Sequence, residues 1–174
     1  MARLAMPSDR DMTTEQARVC AETVAGQRGK IPTPMVAWLQ NPELARRGQE
    51  LGETLRFGTS LSARQSELAI LVCARHWTCA HVWTSHSRHA VAAGIDEDVL
   101  QDLAEGQYAR LDATEVVVVQ FVTMLLETHR VDDALYSRSE AALGKAGVVE
   151  LVALVGYYSL VALTVNAFEL GGVA

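Results

Sequence analysis

The chain has 174 residues, the length of one domain, and its 49% hydrophobic and 21% charged residues are globular composition, too apolar for a disordered chain. A net charge of −6 argues against a nucleic-acid surface or an anionic membrane patch as the main partner. Three cysteines, Cys20, Cys73 and Cys79, fit no disulfide framework and point to free thiols in a reducing compartment. The first ten residues lack an apolar core of signal-peptide length. The most apolar stretch, residues 151–164, falls short of the roughly 20 residues a membrane span needs. A soluble, cytoplasmic protein is expected.

In chain order, residues 1–12 are polar and loose. Thr13, with Glu15 and Gln16 behind it, caps a helix running to about residue 27. Gly29, Pro32 and Pro34 break it. All four prolines lie in the first 42 residues, so the rest suits long helices. Asn41-Pro42-Glu43 opens a second helix that ends near Gly58. Further helices are predicted over 62–77, over 80–93 with Gly94 closing it, and over 96–105 with Gly106 closing it. Asp112 and Glu115 form a capping-box pattern before a helix over 114–128. Val116 to Val119 would suit a strand, but the cap and the apolar run to Leu126 are too long for one. Helices over 132–143, ended by Gly144, and over 146–168 complete the chain. No two-residue alternation, internal repeat or low-complexity tract is present. The expectation is an all-α, single-domain helical bundle.

Four of the five histidines, His76, His81, His86 and His89, fall within one fourteen-residue window; the fifth is His129. Glu67 shares its helical face with Ile70, Leu71 and Ala74. A carboxyl buried on such a face has its pKa raised, as a proton donor near neutral pH requires. A structural carboxylate held by an arginine or by helix amides would look the same. His86 sits among Cys79, Val82, Trp83, His89, Ala90 and Ala93, and suits a general acid or base or a core histidine. Cys79 lies seven residues before His86, about 10.5 Å along a straight helix, too far for direct activation. Cys20 and Cys73 read as packing residues. His86 and His89 could face one ion, but no carboxylate stands beside them at helical spacing, so no metal is assigned. Gly-rich phosphate loops and the nucleophile elbow are absent. No cofactor is expected.

Taken together, Arg64-x-x-Glu67-Leu68, then His81-Val82-Trp83-x-x-His86, then Ala90 to Gly94-Ile95 resemble the carboxymuconolactone decarboxylase family, whose fold is shared with alkylhydroperoxidase D. The Gly156-Tyr157-Tyr158 stretch resembles that family's last helix, and the match covers roughly residues 40–168. The resemblance implies an N-terminal extension over residues 1–40 packed on a helical domain over 41–174. It implies a homo-oligomer, commonly a trimer or hexamer, and a small-molecule substrate. It places Glu67 and His86 as the acid/base pair, with Trp83 and His81 lining the pocket and Arg64 meeting a substrate carboxylate. The peroxidase branch carries Cys-x-x-Cys-x-x-x-His; here Cys79 stands at the first cysteine and Val82 replaces the second. The decarboxylase branch usually has tyrosine and glutamate before the tryptophan, where this chain has His81 and Val82. Three functions are therefore expected in this order. The first is a cofactor-free decarboxylase-type enzyme acting on a small carboxylated lactone or related unsaturated acid. The second is a thiol-dependent peroxidase using Cys79. The third is a non-catalytic, ligand-binding oligomer.

Overall fold

In the computed structural model, which describes residues 2–171, eight helices account for the regular structure and no strand is present among those residues. Contacts divide the chain into two compact units: the residues up to Gly58 with those from Leu163 on, and Thr59–Ala162.

The first unit holds α1 (Thr14–Ala25), α2 (Met35–Trp38) and α3 (Pro42–Phe57). Thr13 and Gln16 close a reciprocal capping box at the start of α1. The Asn41 side chain accepts from the Leu44 N–H, with Pro42 in the first turn of α3. The short α2 was not anticipated. Pro32 and Pro34 read as breakers, yet a proline carbonyl still accepts: Met35 N–H donates to Pro32 O and Trp38 N–H to Pro34 O. Trp38 is buried with its ring edge against Gly48, where any Cβ would sit 3.1 Å from it, and its indole N–H donates to Thr164 Oγ1. α3 packs on α1 and α2, so Asn41-Pro42 starts a helix within this unit, and the break comes after Gly58.

The second unit is built around α4 (Ala63–His76), which packs on α5 (Ala80–Ala92), α6 (Glu97–Glu105) and α7 (Ala113–Thr128). Every residue of α4 from Ser66 to Ala74 is buried, the mark of a helix enclosed on all sides. Asp112 and Glu115 form a capping box, and the valine run after them is helical. A run of β-branched residues costs helix propensity of only tenths of a kcal/mol per residue, which the cap and burial of Val117, Val118 and Val119 override. The last helix, α8 (Asp133–Ala167), is continuous except at Gly144, whose φ of 72° and ψ of 168° break the helical path. That is the break predicted between 143 and 146, and only glycine takes such a conformation without strain. α8 is long and apolar enough to cross a membrane, but 56% of its most apolar stretch is buried inside the protein, as in a core helix.

Candidate active site

α4 and α5 are consecutive helices joined by Trp77, Thr78 and Cys79. Thr78 takes a left-handed φ of 49°, and the Cys79 N–H donates to Ala74 O, closing the turn tightly. This hairpin sets Glu67 on α4 opposite His86 on α5, nineteen residues later. His86 Nδ1 lies 2.6 Å from Glu67 Oε2, with the two residues only 8% and 7% exposed. A heavy-atom distance that short is typical of a charge-assisted hydrogen bond. With Nδ1 held by the carboxylate, Nε2 is the ring nitrogen left to take or give a proton. The imidazole is fixed on its other sides by Tyr158 of α8, edge-on at 5.0 Å between ring centroids, and by His89, tilted at 5.5 Å. Glu67 and His86 thus form a pre-oriented, nearly dry hydrogen-bonded pair.

The other candidate residues are placed differently. Cys79 stands at the N-cap of α5 and is fully buried. Burial pushes its thiol up from the ordinary value, while the backbone N–H groups of Val82 and His81 pull it partway back down. His81 occupies the first turn of α5, half-buried. Trp83 is half-buried and walls a groove of about 550 Å³ between α5 and α6, with Ser87, Arg88, Val91, Leu100 and Gln101. Glu67 and His86 do not line that groove; Trp83 lies one turn from His86 and about 60° around the helix. Arg64 donates from Nε to Glu115 Oε1 at 2.6 Å and from a terminal nitrogen to Gly94 O. The carboxylate that Arg64 meets in this structure belongs to Glu115, and that hydrogen bond raises the guanidinium pKa further. Among the described residues, no three His, Cys, Asp or Glu side chains gather to hold a metal ion.

Tyr158, His89 and Glu115 have site or supporting positions that the sequence reading did not assign. From the sequence, His89 stands out only as a metal partner for His86. Tyr158 was visible as part of a Gly-Tyr-Tyr stretch, and Glu115 as half of a capping box. What each faces across the fold is a long-range fact that local spacing does not carry.

The cysteines give a direct measurement. Cys73 is enclosed, and its thiol is pushed up to about 12 by burial; Cys20 is half-buried and raised by burial and by Asp9. Alkylation at about pH 8 is expected to be fastest at Cys20, slower at Cys79 and slowest at Cys73, read by peptide mass spectrometry. A thiol whose folded pKa exceeds its unfolded value stabilises the fold fully below the unfolded value and loses that contribution as pH rises. Cys73 should therefore make the protein less stable from pH 9.0 upward toward about 12, and Cys73→Ala should flatten that loss in an alkaline melting series.

Solved structures share this all-helical fold, which is that of alkylhydroperoxidase D-like proteins. An uncharacterised peroxidase-related protein from Silicibacter sp. superposes with a TM-score of 0.80 at 16% identity, covering 97% of this chain and 90% of that one. An Agrobacterium tumefaciens protein of unknown function, described as a candidate antioxidant-defence protein AhpD, gives 0.69 at 14% identity, covering 79% and 96%. A cysteine-to-alanine variant of the debrominase Bmp8, in complex with 2,3,4-tribromopyrrole, gives 0.73 at 12% identity, covering 97% and 89%. No family model and no curated protein matches the sequence. At these identities the likeness is one of fold.

Proposed function

We propose that the protein is a cofactor-independent proton-transfer enzyme of the carboxymuconolactone decarboxylase type, acting on a small carboxylated lactone or related unsaturated acid. The observation that carries this reading is the buried Glu67–His86 hydrogen bond. In the proposed reaction the bond to the substrate carboxylate breaks and carbon dioxide leaves. Its electron pair remains on the ring as an enolate. Protonated His86 donates from Nε2 to carbon, while the Glu67 carboxylate orients the ring and stabilises its charged form. His86 then recovers its proton from solvent. Trp83 walls a groove that Glu67 and His86 do not line, so it would meet only a part of the substrate remote from the reacting carbon, and Trp83→Ala should raise KM by up to about ten-fold with kcat little changed. The test is proton NMR of carboxylated lactones in deuterium oxide with the protein present. Loss of carbon dioxide with one deuteron at the former carboxyl-bearing carbon is expected, and should vanish in His86→Asn.

A second reading starts from the place of Cys79 at the N-cap of α5, where the helix N-terminus favours a thiolate. As a peroxidase, the Cys79 thiolate would attack the peroxide O–O bond, releasing an alcohol or water and leaving a sulfenic acid. An external thiol would then reduce it. Burial, which pushes this thiol up, and Val82 in place of a second cysteine put this reading second. Intact mass after brief exposure to one equivalent of hydroperoxide, with a sulfenic-acid trap, separates the two. Stoichiometric labelling at Cys79 supports the peroxidase; an unlabelled thiol returns the search to lactones.

A further inference from the structure

His86 is buried, yet the proposed reaction draws a proton from its ring at every turnover and has to return one from water. Nδ1 is taken by Glu67 Oε2, so the traffic runs through Nε2. The side chains set against the ring differ in their access to solvent. Glu67 is buried, and Tyr158, edge-on at 5.0 Å, is 3% exposed. Neither meets bulk water. His89 is half-buried, and its ring stands 5.5 Å from that of His86, tilted by 55°.

His86 and His89 are three residues apart on α5, so both rings stand on one face of the helix and its backbone holds their spacing. Imidazole suits a relay. One ring nitrogen accepts a proton as the other releases one, and an ordinary imidazole keeps both its charged and its neutral form populated near neutral pH. Rings at this separation are within reach of one bridging water. A residue that only packed against His86 would need no nitrogen, and an apolar side chain would fill the place with less desolvation cost.

We propose that His89 relays protons between bulk water and the buried ring of His86. In the return step, protonated His89 gives its proton to a water lying between the rings. That water passes one of its own protons to His86 Nε2, and a buffer acid in solution reprotonates the neutral His89. The use of the relay in turnover rests on the proton-transfer reading of the site, but the exchange itself takes place with no substrate present.

Water-exchange NMR on the full chain with isotope-labelled histidine reads the relay without a substrate. The ring N–H signal of His86 is identified by its loss in His86→Asn. His89→Gln should slow the exchange of that proton with water by about ten-fold, and imidazole added to the buffer should restore it. His89→Phe keeps an aromatic ring in place without a nitrogen and should slow the exchange to the same degree; both are read with far-UV circular dichroism as the check on folding. Exchange that a folded variant leaves unchanged overturns the relay. Slowed exchange that imidazole does not restore overturns it in favour of packing. On a carboxylated lactone, His89→Gln should lower kcat by about ten-fold with KM held, and imidazole should again recover the loss. A wild-type protein that turns over no lactone yet shows exchange dependent on His89 overturns the decarboxylase reading and supports the relay.

Discussion

Replacing Glu67 by glutamine should lower turnover of a carboxylated lactone by about 10²- to 10³-fold and leave KM within about three-fold. Glutamine fills the same volume, and its amide oxygen can still accept from His86 Nδ1, so the pair keeps its geometry. What disappears is the second carboxylate oxygen, which matters in the reaction only while the ring takes or gives a proton. A purely structural Glu67 predicts the reverse pattern. The buried hydrogen bond would weaken by about 1 kcal/mol or more, the protein would melt earlier, and kcat measured well below the melting temperature would hold. His86→Asn should lose activity to a similar extent. The double variant should be little worse than either single one, because residues that act as a unit lose their joint effect once. Unchanged turnover in Glu67→Gln sinks the assignment.

The fold was legible because helices declare their ends. Capping boxes at Thr13 and Asp112, proline after Asn41 and glycine at 94, 106 and 144 fix the breaks in the structure to within a few residues. The valine run at 116–119, the one segment with a competing signal, was decided by the cap ahead of it. The one-turn helix at 35–38 escaped because it is too short to show a period and follows two prolines. For the site, the apolar faces of Glu67 and His86 left each residue open to a structural role, and only the family resemblance paired them; the tight helix hairpin is what turns their nineteen-residue interval into a contact. Arg64 shows where such reading stops. Its partner, Glu115, is fifty-one residues away, and nothing in the spacing of α4 tells an arginine waiting for substrate from one already bound to its own fold.

That difference is measurable. Arg64→Ala should destabilise the protein by about 1–3 kcal/mol, near 2–4 °C of melting temperature per kcal/mol. Glu115 is buried, with one carboxylate oxygen on Arg64 and the other on the Asp112 N–H of its capping box. Without the guanidinium, a carboxylate in that position keeps a single hydrogen bond. The cost falls below that of breaking a fully buried ion pair because the Arg64 side chain is 38% exposed and water can enter behind it. Arg64→Ala with Glu115→Gln should recover part of the loss, since the unpaired charge is gone. Arg64→Lys should not recover it, because one ammonium cannot reach Glu115 and the Gly94 carbonyl in the two directions the guanidinium does. An unchanged melting temperature together with a raised KM would return Arg64 to the substrate. The expected result, lower stability with KM held among the molecules that remain folded, makes Arg64 the clamp that ties α4 to α7 and to the end of α5, keeping the Glu67–His86 hairpin in register.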